Sequence, residues 1–369
     1  MRKILLFIKT LNLGGAEHML VNVANRLTKD GYQVAVQTMF DEGVYREKLM
    51  PQVEYRAGLN PKSRLLREIG VRLPLWFWDK FLIPKDYTYY VAFMEGWPAR
   101  IIGSCHRKNA QKIAWIHTDI YANYGTNDIA ERERIDRKCY RTFDQVLCVS
   151  EDAKKGFIKR IGLLANIDVQ YNPTEKEEVL RKSQLEPVIS MPEKNSIRLV
   201  AVGRLEKVKG FDLLIEAISL VKKQSQHPVE LYLVGNGSEW DNLREMIREK
   251  DLQDNVTLCG QQENPYSIMR HCDMLVIPSR AEGYSLVLCE GQILGLPIVA
   301  TKCSGPTEIL TDSEAGILVD ISSEAIADGI IKMLNDKALF AKCKGKAQQW
   351  SKDYDENAIY RQIESRFQN

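Results

Sequence analysis

Two glutamates bracket the segment Glu282-Gly-Tyr-Ser-Leu-Val-Leu-Cys-Glu290, and their spacing limits the chemistry they could perform. Gly283-Tyr284-Ser285 opens a helical pattern containing Leu286, Val287 and Leu288, and the strand-like run Met274–Ile277 leads into it through Pro278-Ser279. Glu282 then lies in the loop before the helix and Glu290 about two turns inside it, since an α-helix rises ~1.5 Å per residue. Carboxylates separated by roughly 10 Å or more along one axis cannot share a proton as a catalytic dyad does. Between them the backbone N–H groups of Tyr284 to Leu286 are helix-start donors without intrahelical partners, suited to anionic oxygens. Carboxylate, anion nest and carboxylate would meet hydroxyls, phosphate and hydroxyls along one extended ligand. Taken singly, Glu282 is a surface loop charge and Glu290 an exposed helix residue, the ordinary condition of a glutamate.

Other segments offer complementary charge. Val200-Ala-Val-Gly-Arg-Leu-Glu-Lys-Val-Lys-Gly210 reads as a buried strand ending at Gly203, with Arg204 at its carboxyl edge and Lys209 able to return beside it. Two cations there can neutralise a diphosphate whose charge grows as it departs; as plain loop residues they are solvated surface charges. Leu231-Tyr-Leu-Val-Gly-Asn-Gly237 adds a strand and a turn at Gly235. Near the N-terminus, a strand leads into Leu11-Asn-Leu-Gly-Gly-Ala-Glu17 and then a helical stripe at Met19, Leu20, Val23, Ala24 and Leu27. Gly14-Gly15 there either lets backbone approach a ligand at a helix start or makes a tight turn. This is not the G-x-G-x-x-G of nicotinamide enzymes. His117, in Ile113-Ala-Trp-Ile-His-Thr-Asp119, ends a strand without a role that its own pattern assigns.

All these residues stand at the ends of apolar runs that alternate with helix-period segments, the pattern of parallel α/β domains. The runs are Ile4–Ile8, Val34–Met39, Tyr89–Phe93, Ile113–Ile116 and Val146–Val149, then Leu199–Val202, Leu231–Val234, Val256–Leu258, Met274–Ile277, Ile298–Ala300 and Ile317–Val319. Most are apolar throughout, as strands buried on both faces should be. A chain of 369 residues exceeds what one core usually serves. The polar, Pro-containing stretch 172–196 separates the two series and reads as a linker. The fold class expected is α/β, two doubly wound domains with ligands at the carboxyl ends of their strands and in the cleft between them.

Charge divides along the same line. Residues 1–172 hold 27 Lys+Arg against 19 Asp+Glu, whereas residues 173–369 hold 24 against 30, so the basic first half is suited to an anionic partner. No basic run carries interleaved aromatics at RNA-binding spacing, and no zinc-finger pattern occurs, so nucleic acid is not the partner suggested. Within that half, residues 62–87 mix Lys62, Arg64, Arg67, Arg72, Lys80 and Lys85 with Leu73, Leu75, Trp76, Phe77, Trp78, Phe81 and Leu82. Such a composition suits an interfacial segment on an anionic membrane, or aromatics packed on the domain core. The eight cysteines form no C-x-x-C pair, and most sit in apolar stretches such as Val146–Val149 and Leu258-Cys259, as reduced core residues of a cytoplasmic protein do. Neither a secretory leader nor a spanning segment is evident.

The segment Glu282–Glu290, followed by Gln292-Ile-Leu-Gly-Leu-Pro-Ile-Val-Ala-Thr301 and Ser304-Gly-Pro-Thr-Glu-Ile309, resembles the donor-site signature of family 4 glycosyltransferases. The Gly14-Gly15-Ala16-Glu17 loop, the Gly203-Arg204-Leu205 and Lys209-Gly210 loop and the Gly235-Asn-Gly237 turn match in the same order, so the resemblance spans nearly the whole chain. It implies the GT-B fold, two Rossmann-like domains facing across a cleft, with residues 1–175 binding acceptor and 176–351 binding nucleotide sugar. The last helix, about 352–369, would return to the first domain. By resemblance, Glu282 holds donor-sugar hydroxyls, Glu290 the ribose, and Arg204 and Lys209 the diphosphate. Gly15, Gly203, Gly235, Gly283, Tyr284, Ser285 and Leu286 would border the donor, and His117 would be the first domain's active-site histidine. Asp119 is a candidate for acceptor contact.

The implied reaction is retaining transfer of a hexosyl unit, from a nucleoside-diphosphate sugar that is UDP-linked, to a saccharide or lipid-linked glycan. No metal or other cofactor is required, because Arg204, Lys209 and a helix start supply positive charge. The D-x-D pair of metal-dependent transferases occurs only as Asp353-Tyr-Asp355, near a last helix. Cytoplasmic placement, peripheral on the inner face of the plasma membrane, is the expected setting. Two other readings stay open: a sugar-nucleotide 2-epimerase of the same fold, and a non-catalytic subunit that binds nucleotide sugar for a partner transferase.

Overall fold

The computed structural model describes residues 2–60, 73–118, 120, 129–191 and 196–368, side chains 129–132 excepted. Two compact units result: Met1–Pro173 with Asn357–Asn369, and Thr174–Glu356.

The first unit is built on seven parallel strands, β1 (Lys3–Ile8), β2 (Gln33–Thr38), β3 (Glu54–Arg56), β4 (Tyr89–Ala92), β5 (Gln111–Ile116), β6 (Gln145–Cys148) and β7 (Ile167–Val169). Their order is β3-β2-β1-β4-β5-β6-β7. Helices α1 (Gly15–Lys29), α2 (Trp97–Ser104), α3 (Ile129–Tyr140) and α4 (Glu151–Ile161) connect them. Ile4 to Ile8 and Tyr89 to Phe93 are fully buried, which is why these strands read as unbroken apolar runs. All five runs expected in this half are strands. The sequence gives no such signal for β3 and β7, three-residue edge strands of composition Glu-Tyr-Arg and Ile-Asp-Val that stay partly exposed.

The second unit carries β8 (Ile197–Val202), β9 (Val229–Val234), β10 (Val256–Leu258), β11 (Met274–Ile277), β12 (Ile298–Thr301) and β13 (Gly316–Val319), in the order β10-β9-β8-β11-β12-β13. Its helices are α5 (Lys176–Ser183), α6 (Phe211–Gln224), α7 (Trp240–Glu249), α8 (Pro265–Arg270), α9 (Leu286–Ile293), α10 (Ser304–Ser313), α11 (Ser323–Asn335) and α12 (Lys337–Asp353). One apolar cluster joins α6, α7 and α11 to one sheet face through Leu214, Ile218, Leu243 and Ile330. Another joins α5, α8, α9, α10 and α12 to the opposite face through Val179, Ile268, Leu288, Leu310 and Ala347. The sheet is thus doubly wound, and the chain reverses its strand order between β8 and β11. At such a switch point, loops diverge at the carboxyl edge and leave room for a ligand. In the first unit the reversal falls between β1 and β4.

The last helix, α13 (Glu356–Ser365), is counted with the first unit from Asn357 onward. Phe367 lies edge-on to Tyr89 at 5.3 Å and near Tyr32 at 6.4 Å, and Arg2 donates to the carbonyls of Phe367 and Gln368. In the aromatic segment 62–87, residues 62–72 lie outside the described residues. Beyond them, Leu75–Phe77 and Trp78–Leu82 form short helical turns. Trp78 is fully buried against Phe7, while Trp76 and Phe81 are 61% and 59% exposed. Of the described aromatics, Trp78 thus packs on the domain core, whereas Trp76 and Phe81 face outward.

Candidate functional site

At the switch point of the second unit, β8 delivers Gly203 and Arg204, and β11 delivers Pro278, Ser279 and Glu282. The Lys209 side chain returns along Gly203: a β-carbon placed there would lie 3.9 Å from Lys209 Cδ. Its Nζ donates to both carboxylate oxygens of Glu282, at 2.8 and 2.6 Å. Ser279 Oγ donates to Glu282 Oε2 at 3.0 Å, while its own carbonyl accepts from buried Thr301 Oγ1 at 2.5 Å. Val202, Lys209, Phe211, Ser279, Glu282 and Ser285 line a small pocket. Arg204 is exposed, and its side chain meets no partner among the described residues. The expected pair of cations is therefore divided, one clasped to a carboxylate and one open.

Backbone geometry holds the two loops together. Gly210 has φ +69, and a β-carbon there would stand 2.0 Å from the Pro278 carbonyl oxygen, so no other residue fits without displacing the β11 loop. Gly235, at φ +146, approaches the Gly203 carbonyl as closely, with a built β-carbon 1.9 Å away. Arg280 adds a fork on Asp212, 2.6 Å from Nη1 to Oδ1 and 2.8 Å from Nη2 to Oδ2, and donates to the Lys207 carbonyl at 2.7 Å. Burial pushes the Asp212 carboxyl up, but the Arg280 and Lys207 cations prevail and bring it to about 2.

Helix α9 begins at Leu286, later than the pattern suggested. Ser285 is its N-cap, and Ser285 Oγ accepts from the Leu288 N–H at 3.4 Å. That removes one donor from the first turn. The N–H groups of Leu286 and Val287 remain as helix-start donors, whereas Gly283 and Tyr284 belong to the preceding loop. Glu290, the other carboxylate of the expected clamp, is 8% exposed and is not a solvated helix residue. Tyr266 donates to Glu290 Oε1 at 2.9 Å. Burial raises the Glu290 carboxyl to about 7, with Tyr266 and the Lys182 charge opposing the rise.

In the first unit, Gly15 is the first residue of α1, with Gly14 as its N-cap. His117 follows β5. Its backbone N–H donates to Glu95 Oε2 at 3.1 Å, and Thr118 Oγ1 donates to Glu95 Oε1 at 2.9 Å. The ring lies 4.8 Å from Phe93 and 5.9 Å from Trp115, and its buried Nε2 has no hydrogen-bond partner among the described residues. Burial lowers the imidazole to about 3, so it is neutral near pH 7 and offers one donor and one acceptor. Asp119 lies outside the described residues.

Sequence reasoning missed Ser279, the Arg280–Asp212 fork, Tyr266 and Glu95. Ser279 and Glu95 each follow a strand, a readable signal. Arg280, Asp212 and Tyr266 gain their partners only by folding. The cysteines are all free and, apart from partly exposed Cys139, buried; burial raises Cys289 and Cys303 to about 12, which makes them inert core thiols.

Comparison with known proteins follows the same two-part division. The model of the family described as Glycosyltransferase Family 4 matches residues 13–178, and that described as Glycosyl transferases group 1 matches 184–350. A Campylobacter jejuni N-acetylgalactosamine-N,N'-diacetylbacillosaminyl-diphospho-undecaprenol 4-alpha-N-acetylgalactosaminyltransferase is 26% identical, covering 98% of each chain. The lipopolysaccharide core biosynthesis glycosyltransferase LpsD of Rhizobium meliloti is 27% identical, over 88% of this chain and 86% of its own. Among solved structures, Anabaena Alr3699/HepE in complex with UDP superposes with a TM-score of 0.76 over 99% of each chain, at 20% identity. That last likeness is one of fold.

Proposed function

This chain belongs to the glycosyltransferases of the family 4 and group 1 type, with the GT-B fold, and we propose that it transfers a hexosyl unit with retention. The donor is a nucleoside-diphosphate sugar, UDP-linked, and the sugar is glucose, galactose or an N-acetyl form of either. A saccharide or lipid-linked glycan in cell-surface polysaccharide or glycolipid synthesis is the acceptor. The activities of the C. jejuni and R. meliloti relatives support that setting, and the UDP bound to the Anabaena protein supports the base.

The observation that carries this reading is the Lys209–Glu282 pair beside the start of α9 at the switch point. Its ammonium can turn to diphosphate oxygens while the carboxylate accepts from sugar hydroxyls. Arg204 adds a second cation, the Leu286 and Val287 N–H groups add dipoles, and Glu290 takes the ribose. Gly203, Gly235, Gly283, Tyr284 and Ser285 supply close backbone within the second unit. Charge growing on the leaving diphosphate is then met by protein groups, so no metal is assigned a role.

In the step proposed, an acceptor hydroxyl attacks the anomeric carbon from the face the diphosphate vacates. The C–O bond to the acceptor forms as that to the diphosphate breaks, and a phosphate oxygen takes the hydroxyl proton. The first unit is assigned the acceptor, with neutral His117 and Asp119 as its polar groups. We also assign membrane contact to the exposed Trp76 and Phe81 beside Lys80 and Lys85, at the cytoplasmic face. Among the described residues no helix is long and apolar enough to cross a membrane.

A thermal-shift screen of nucleoside diphosphates, followed by labelled-sugar transfer assays, tests the reading. UDP should stabilise the chain most, and product should keep the donor's anomeric configuration. Epimerised donor formed without acceptor would support the 2-epimerase instead, and donor binding without transfer would leave a binding subunit.

A further inference from the structure

Glu290 sits among three helices. Tyr266 faces it from the first turn of α8, and its hydroxyl donates to Oε1 at 2.9 Å. Lys182, on α5, is the cation acting on it, and is itself paired with Glu178 at 2.5 Å. On α9 its neighbour is the buried thiol of Cys289. Helix α12 brings uncharged Ser351 to the Ile293 carbonyl and Gln348 to Gly295, at the far end of α9. Asn264, which precedes α8, donates to the Lys182 carbonyl at 2.9 Å, so the Tyr266 turn is itself fastened. Oε1 is thereby committed to the protein. Oε2 makes no hydrogen bond among the described residues and is not one of the buried unsatisfied atoms.

We propose that Tyr266 is the positioning residue of the donor site: it holds Glu290 by Oε1 and presents Oε2 as the single acceptor for a ribose hydroxyl. This rests on the donor-site reading given above. The phenol also does electrostatic work, because a hydrogen bond to the ionised carboxylate favours the form that accepts from hydroxyls. With burial holding the carboxyl at about 7, donor binding should weaken as the solution becomes acidic through neutrality. Removing the phenol should move that midpoint upward.

The test is calorimetric titration of the full chain with UDP from pH 5.5 to 9, alongside donor KM and kcat. In Tyr266→Phe the Kd should rise about tenfold near pH 6.5, the loss of one charge-assisted bond. By pH 9 the loss should shrink to the part owed to an unheld Oε2, with the midpoint about one pH unit higher and kcat within about twofold. Replacement of Tyr266 by 3-fluorotyrosine keeps the shape, makes a stronger donor and should lower the midpoint; it decides the matter if Tyr266→Phe does not fold. Unchanged midpoints in both variants, or uniform weakening at every pH, would overturn the proposal while leaving the donor site standing. Wild-type failure to bind UDP or any other nucleoside diphosphate would overturn the donor-site reading and this proposal together.

Discussion

At the scale of single residues, Glu290 sets folding against binding. Its carboxyl ionises near 4.5 in the unfolded chain and at about 7 in the native one. Between those values the native state holds a proton that the unfolded state has released. The folded pKa is raised, so this contribution is fully present below 4.5 and is lost as pH rises through 7. Glu290→Gln should therefore raise the melting temperature relative to wild type by more at pH 8 than at pH 4.5. The same change should weaken donor binding, seen as a higher KM with little change in kcat, because ribose contacts are alike in ground and transition states. A pH-independent difference in melting would remove the basis for this trade-off. The cations behave differently. Lys209→Ala and Arg204→Ala should each lower kcat by about 10²–10³, as loss of a transition-state donor does. Wild-type turnover in either would refute its assignment to the diphosphate.

Elements matter through the loops that follow β8 and β11. These loops meet where Gly210 touches the Pro278 carbonyl and where Arg280 forks onto Asp212. Gly210→Ala combines a left-handed φ with a carbonyl contact that nothing flexible can relieve. It should destabilise the second unit by about 1–3 kcal/mol, measured by denaturant midpoint, and should lower transfer because Lys209 is the adjacent residue. Wild-type stability in that variant would mean that the loop relaxes freely. The same logic holds in miniature at α9: Ser285 ends the loop and starts the helix, so the turn proposed for the phosphates is placed by a single cap.

On the scale of the whole molecule, charge and exposed aromatics both favour an anionic surface as partner of the first unit. Trp76, Phe77 and Phe81 form one cluster, with ring centroids 5.0 to 6.5 Å apart, and Lys80 lies 5.4 Å from the Phe81 ring. Wild-type protein should float with vesicles containing phosphatidylglycerol and not with neutral ones, and added salt should weaken the association. The Trp76→Ser, Phe81→Ser double variant should lose flotation while keeping its melting temperature, since both side chains are solvated. Flotation unchanged by that variant would place membrane contact elsewhere.

Much of this protein is determined along the chain. Strands buried on both faces must be apolar throughout, so the eleven runs located β1, β2, β4 to β6 and β8 to β13. Glycines that admit close backbone, with charges set just beyond strand ends, offered Gly203, Arg204, Lys209 and Glu282 as candidates; Glu290 stands inside the helix that follows, and the family resemblance singled out the two glutamates. Edge strands β3 and β7 escaped because short, half-exposed strands need no apolar run. Only the tertiary structure decided that Lys209 grips Glu282 while Arg204 stays open, that Glu290 is buried beneath Tyr266, and that Trp78 turns inward as Trp76 turns out. The reason is physical. Periodicity and turn chemistry act over a few residues, whereas a side chain's ionisation, partner and exposure depend on groups brought from distant parts of the chain: 73 positions away for Lys209 and 24 for Tyr266.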